Sequence, residues 1–298
     1  MNNKFTAWLI LIILSLVWGS SFILMKQGLR SFTSDEVAGL RITIASAFML
    51  PFLAKHYQID LKKNLKGLLL MGVFGNLIPA FLFTKAETQI SSSLTGMLNA
   101  LTPLFTIIVG YMMYSSKIHK NQVIGVAVGF LGAIALVYFG NDNGEQSKNV
   151  MYSLLVAAAT LCYAISVNGI KAHLNDIDSF KATTWSFTLI GPIAAIYLFG
   201  FTDVIKHASE HPLGASSLGY VSILAIVGSA LSVVVYNTLI KMSGTVFAAS
   251  CTYLIPIVAI GWGVLDGEVV NLIQILAVLI IIAGIWLINL KPKPVNLD

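Results

Sequence analysis

The sequence predicts an all-α membrane protein of ten transmembrane helices, built as two inverted five-helix repeats with the N- and C-termini cytoplasmic. Three observations predict it. Charge is scarce, apolar runs of spanning length recur ten times, and the second half of the chain repeats landmarks of the first.

Of the 298 residues, 57% are hydrophobic and only 10% are charged, and the mean hydropathy is +0.84. A soluble domain carries about 25% charged residues, so this chain lacks the polar surface for a water-facing globule of its size. Disordered chains are apolar-poor and charge-rich, so disorder is excluded as well. A helix needs about 20 apolar residues to cross a bilayer. Ten crossings leave short loops and no sizeable soluble domain. The net charge of +5 is not a nucleic-acid footprint, because the lysines lie between apolar runs. Cys162 and Cys251 sit inside apolar runs, which indicates neither a disulfide framework nor a metal site. No cofactor is called for.

The apolar stretches cover 5–25, 36–54, 67–84, 92–114, 121–139, 150–170, 180–199, 217–239, 246–265 and 270–290. The first is too long for a cleaved signal, lacks an Ala-x-Ala exit and runs on into Trp18-Gly19-Ser20-Ser21, so it is expected to be a retained helix. Basic residues set the orientation. With the N-terminus cytoplasmic, twelve fall inside, among them Lys55 to Lys66, Lys117, Lys171, Lys241, Lys291 and Lys293. Five fall outside: Lys26, Arg30, Lys85, Lys148 and Lys206. Arg41 is left within a helix.

At an offset of 153, Gly75 meets Gly228, Phe83-Thr84 meets Tyr236-Asn237, Pro103 meets Pro256 and Gly110 meets Gly263. After a one-residue slip, Gln122 meets Gln274 and Gly132 meets Gly284. At an offset of 145, Trp18 meets Tyr163, Ser21 meets Ser166 and Lys26 meets Lys171. Collinear order through half the chain makes this a repeat. Five spans per half, an odd number, invert the second copy relative to the first, a plan that puts a substrate site near the midplane between the halves.

Four segments carry a family resemblance: Leu16-Val17-Trp18-Gly19-Ser20-Ser21-Phe22 with Lys26, Gly39-Leu40-Arg41, Ala100-Leu101-Thr102-Pro103-Leu104-Phe105, and Tyr253-Leu254-Ile255-Pro256-Ile257-Val258 running to Gly261-Trp262-Gly263 and Gly267-Glu268. With these the chain resembles the EamA-type transporters of the drug/metabolite transporter superfamily. The resemblance covers nearly the whole chain in two copies, 1–140 and 150–290, joined by 141–149 and followed by a cytoplasmic tail, 291–298. It implies ten helices, a central cavity between the halves, and transport of a small metabolite, often export; it implies no particular substrate. The chain departs from the family at Ser115-Ser116, where Gly-Glu is common, and at Tyr163-Ala164, which replaces Trp-Gly in the second copy. Trp185-Ser186 stands where the first copy has Arg41.

Ionisable residues at membrane depth are functional candidates by default. Arg41 is one: it either reaches the outer interface or pairs with Asp35 or Glu36, or else anchors an anion or acts as a gate. Lys26 and Lys171 read as interfacial anchors, Lys85 and Glu87 as a solvated turn or else a gate, and Glu268 as a helix-end or inter-repeat contact. All five histidines fall in loops or at membrane edges, so no proton relay is legible. Polar residues near Pro103 and Pro256 point to a transport site, because proline frees a carbonyl that a neighbour or a wet cavity must satisfy. The alternative is a packing kink. The candidate substrate-binding residues are Trp18, Ser21, Asn76, Asn99, Thr102, Tyr163, Asn168, Tyr236, Asn237 and Tyr253, with Pro103, Pro256 and Arg41 as kink or gate. Gly125-x-x-x-Gly129 permits close helix packing, within one protomer or between two protomers of a homodimer.

The expectation is a secondary transporter in the inner membrane, not an enzyme, moving a small metabolite such as an amino acid by alternating access, with the lipid bilayer and the solute as its partners. The competing class is an integral membrane enzyme acting on lipid or isoprenoid. The only close acidic pair in a cytoplasmic loop, Asp176 and Asp178, lacks an aspartate-rich metal motif, and no metalloprotease, phosphate-loop or nucleophile-elbow motif occurs.

Overall fold

The structure, a computed structural model, describes residues 3–56, 59–115, 118–139, 146–249 and 251–290. The expected tail 291–298, residues 141–145 of the expected connection, and Ser116, Lys117 and Ser250 lie outside the described residues. Among the described residues the chain is helical, with no strand. Eight helical stretches are long and apolar enough to cross a membrane, and two shorter apolar helices follow, Cys251–Leu265 and Leu272–Ile288.

The first two helices are α1 (Asn3–Gly28) and α2 (Ser34–His56). The third stretch is composite: α3 (Leu61–Leu69), a π-helical segment Leu70–Leu77, then α4 (Ile78–Ala86). So is the fourth: α5 (Ser92–Leu98), a 3-10 turn Asn99–Leu101, then α6 (Thr102–Tyr114). Next come α7 (Lys120–Phe139), α8 (Gln146–His173) and α9 (Ser179–Phe201). A short α10 (Val204–Glu210) precedes α11 (Gly214–Ile223), a second π segment Leu224–Leu231, and α12 (Ser232–Ala249). The last two are α13 (Cys251–Leu265) and α14 (Leu272–Asn289).

Local chemistry fixes several ends. Asp60, Ser91 and Asp178 cap the starts of α3, α5 and α9 by accepting backbone N–H bonds. Asn271 and Gln274 form a capping box, so α14 starts at Leu272 rather than at 270. Three regions differ most from the sequence expectation. The third stretch begins at Leu61 rather than near 67, taking in Lys62, Lys63 and Lys66. The eighth runs on to Ala249 instead of ending near 239, taking in Lys241 and the expected start of the ninth. Lys241 does not break the helix, being a good helix former, and its ammonium donates to the Ile177 carbonyl. The short α10 forms where Lys206 and His207 read as loop, held by buried Val204 and by a 2.9 Å contact between His207 Nδ1 and the buried Glu36 carboxylate.

The helices pair in a pattern that maps onto itself when the two halves are exchanged. Helix α2 packs on α9, and α7 on α14. Helix α1 packs on α13 and on α11 and α12, while α8 packs on α6 and on α4. The residues that match at offsets 153 and 145 make matching contacts. Gly75 lies against Ser166, and Gly228 against Ser21. Trp18 packs on Tyr236 at 4.9 Å between centroids, and Tyr163 on Phe83 at 5.7 Å. Outward-facing Leu, Ile, Phe and Met side chains, such as Met112, Phe201 and Leu265, are exposed, as lipid-facing surface requires.

Candidate substrate cavity

A cavity of about 120 Å³ opens where α1, α2, α8 and the composite third, fourth, eighth and ninth stretches meet. That is close to the roughly 150 Å³ that holds a benzene ring in an engineered protein cavity, so one small solute fits. Trp18, Ser21, Arg41, Asn76, Asn99, Thr102, Tyr163, Tyr236 and Asn237 all line it. These residues come from both halves of the chain. Phe22, Met25, Phe83 and Gly228 also line it; Phe83 and Gly228 are repeat landmarks and Phe22 ends a motif, but apolar character alone does not mark a residue as cavity wall.

Asn168 and Tyr253 do not line the cavity. The Asn168 amide donates to the Thr106 carbonyl at 3.0 Å and to that of Ala164 at 2.9 Å, tying α8 to α6. The Tyr253 hydroxyl donates to the Ile285 carbonyl at 3.1 Å, tying α13 to α14. Pro103 and Pro256 are also off the cavity wall. Pro103 opens α6 directly after the 3-10 turn. It has no N–H for the Asn99 carbonyl, and the Thr102 hydroxyl donates there instead, at 2.9 Å. The kink thus satisfies its own carbonyl and leaves the Asn99 side chain turned to the cavity.

The two π segments shape the walls. A π turn bonds i to i+5, and such segments collect at functional sites. Trp18 Nε1 donates to the Gly228 carbonyl at 3.0 Å, in the second segment. Asn76 Nδ2 donates to the Met71 carbonyl at 3.1 Å, five residues back in the first.

Arg41 is 8% exposed. Its Nε donates to the Ser229 hydroxyl at 2.8 Å. Neither Asp35 nor Glu36 reaches it: Asp35 accepts from the Tyr197 hydroxyl at 2.9 Å, and Glu36 pairs with His207. Among the described residues no carboxylate lies within ion-pair distance of Arg41. The cavity therefore holds one guanidinium without a counter-ion. The side-chain oxygens of Asn99 and Asn237 are buried with no hydrogen-bond partner, an arrangement that costs free energy unless something fills it.

Phe22, Phe83 and Met25 make one part of the cavity wall. Phe22 packs edge-on against Phe83 at 5.8 Å over buried Met25. Beyond them Lys26 Nζ lies 2.7 Å from both Glu268 and Asp266. Glu268 also accepts from the backbone N–H of Ser92 at 3.1 Å and of Ser93 at 2.9 Å, and from both hydroxyls. Gly267 makes this reach possible with φ +83°, a conformation that glycine adopts without a Cβ penalty. Glu87, expected in a solvated turn, is instead buried behind this latch. Burial alone would raise the Glu268 carboxyl, but hydrogen bonds from Lys26, Ser93 and Ser92 outweigh it and hold it at about 2. Because that value is depressed, the latch's contribution is present above the ordinary carboxylate range and is lost only as the pH falls toward 2.

At the opposite end, Ile170 and Asn237 line both the cavity and a smaller cleft that reaches Lys171 and Lys241. Nearby, Asp178 spends its carboxylate on capping α9, accepting from Phe180 and Lys181 N–H at 3.0 Å. It thus serves as a helix cap, which weakens the lipid-enzyme reading built on Asp176 and Asp178.

Comparison with known proteins matches the model of the EamA-like transporter family to residues 6–138 and again to 150–290. A protein of Escherichia coli strain K12 named "Uncharacterized inner membrane transporter YedA" is 28% identical over 286 residues, covering 93% of this chain and 88% of the relative. A Salmonella typhimurium protein named "Probable amino-acid metabolite efflux pump" is 24% identical over 280 residues, covering 91% and 90%. A solved crystal structure shares the fold with a TM-score of 0.65 at 17% identity, covering 95% of this chain and 96% of that one.

Proposed function

The chain belongs to the EamA-like transporter family, and from that premise we propose that it exports a small zwitterionic metabolite, an amino acid or close relative, across the inner membrane by alternating access. The observation that carries this reading is the lone Arg41 guanidinium in an otherwise uncharged cavity. It suits a carboxylate, which a planar guanidinium binds by paired hydrogen bonds. The unpartnered oxygens of Asn99 and Asn237 suit an ammonium group, and Trp18, Tyr163 and Tyr236 suit the apolar part of the solute.

The exchange-symmetric helix pairing and the matched Gly–Ser and aromatic contacts support two inverted five-helix halves. The lysine bias places Lys26 outside and Lys241 inside. On that orientation the latch lies on the outer side of the cavity, which is approached from the cytoplasm through the Lys171–Lys241 cleft. The two halves rock about the cavity, and the latch between Lys26 of the first half and Glu268 of the second opens once per cycle.

Two measurements test this. Purified protein in liposomes preloaded with a neutral amino acid is expected to show counterflow of the labelled compound; no counterflow across alanine, threonine, leucine and phenylalanine overturns the substrate class. Joining Lys26→Cys to Glu268→Cys with a short cleavable thiol reagent is expected to stop counterflow, and cleaving the bridge to restore it. Full transport with the bridge intact rules out alternation at this end.

A further inference from the structure

Glu87 is the C-cap of α4 and stands four residues beyond cavity-lining Phe83, on the same helix face. It is 9% exposed, and neither carboxylate oxygen has a hydrogen-bond partner. An ionised carboxylate buried without partners costs so much that such a group takes a proton instead.

The charged groups around it come from every neighbouring element. Lys26 faces it from α1, Arg41 from α2, and Glu268 from the α13–α14 connection. Asp266 shares Lys26 with Glu268. Tyr163 of α8 packs on Phe83 below it, and Lys85 on its own helix points to solvent. These groups already have partners: Lys26 is held by the two latch carboxylates, Arg41 by Ser229, and Glu268 by Lys26 and two serines. Burial, and next the Glu268 charge, push the Glu87 carboxyl well above the usual carboxylate range, against the pull of Lys26 and Arg41.

We infer that Glu87 is the proton-binding group that couples transport to a pH gradient, holding its proton behind the closed Lys26–Glu268 latch and exchanging it with water when the latch opens. The step is a plain protonation: the carboxyl O–H breaks to water on release and re-forms on uptake. Opening the latch separates Glu268 from Lys26, admits water and frees the Lys26 ammonium to face Glu87, and each change favours the ionised form. The latched state is then the proton-loaded one. The sequence hides this site, since Lys-Ala-Glu-Thr-Gln after an apolar run looks like an ordinary turn.

The inference rests on the transport reading for its coupling role, and two arms separate the failures. The first is infrared spectroscopy of the purified protein at pH 7. The carbonyl stretch of a protonated carboxyl is expected in the wild type and absent in Glu87→Gln; its absence from the wild type, or its survival in the variant, overturns proton holding whatever the solute. The second is solute accumulation in liposomes under a gradient of one pH unit. With one proton exchanged per solute, the wild type is expected to concentrate a transported amino acid about tenfold on the acid side, and Glu87→Gln about onefold. Dividing by counterflow of the same preparation corrects for lost or misfolded protein. Glu87→Asp keeps a proton carrier and is expected to recover part of the gradient response. An equal gradient-to-counterflow ratio in wild type and Glu87→Gln overturns the coupling role.

Discussion

Replacing Arg41 by glutamine is expected to lower amino-acid counterflow about 10- to 100-fold at limiting solute. A hydrogen bond to a charged group contributes about 1.5–3 kcal/mol, and each 1.4 kcal/mol is about tenfold. Glutamine keeps a donor for the Ser229 hydroxyl region but has neither the charge nor the paired donors for a carboxylate. Arg41→Lys is expected to fall between the two, since it keeps the charge without the planar fork. Stability is expected to move the other way. Arg41 is buried against the Ser229 and Tyr163 hydroxyls with no counter-ion, so removing its charge relieves desolvation. The signature is therefore impaired transport in a variant that melts no lower than the wild type. Normal counterflow by Arg41→Gln rules out the carboxylate-anchor role.

The second large effect belongs to the α7–α14 pair. A Cβ on Gly284 would lie 2.6 Å from both the Gly125 carbonyl oxygen and the Gly129 nitrogen. Both are backbone atoms, which cannot rotate away, so the helices must separate. Gly284→Val is expected to destabilise by about 1–3 kcal/mol, lowering the melting temperature by several degrees. Gly261, with nothing within 4 Å of an added Cβ, is the control: Gly261→Ala is expected to melt as the wild type does. An unchanged melting temperature for Gly284→Val contradicts this packing. The sequence reading of Gly125-x-x-x-Gly129 left open packing within the protomer or between protomers. Here Gly125 meets the chain's own Gly284 and Ile288, and Gly129 meets its Leu104.

Helices lie at all ten apolar stretches, because a spanning helix advertises itself by length and hydropathy alone. The cavity was partly legible for a related reason. At membrane depth a polar side chain is conspicuous, so Trp18, Ser21, Asn76, Asn99, Thr102, Tyr163, Tyr236 and Asn237 stood out, and they meet in one place. The same signal misplaced Asn168 and Tyr253, since an amide or phenol that ties two helices is as polar as one that faces a solute. Arg41 was legible as a charge, while its partner, Ser229, lies 188 residues away. Glu87 reads in sequence as a turn because the charges around it, Glu268, Lys26 and Arg41, come from parts of the chain that are not near it in sequence. The π segments carry no pattern distinct from ordinary apolar helix.

Those segments make the cavity a matter of chain length as well as of chemistry. Each holds an i to i+5 turn inside a helix whose neighbours bond i to i+4. Successive helical residues are about 100° apart around the axis. A π turn holds one more residue than an α turn, so losing one residue from 70–77 would let the ladder close as regular α-helix with the flanking helices kept on their faces, while residues between the cut and the wide turn would shift around the axis by about that angle. Gly67, lodged against Leu174, and Phe83, on the cavity wall, would then keep their neighbours, while Gly75 and Asn76, which line the cavity from within the segment, would be turned off its wall. The same holds for 224–231, where Trp18 and Arg41 both find partners. In these two places the number of residues carries information that no substitution scan would reveal, and single-residue deletions are the natural way to read it.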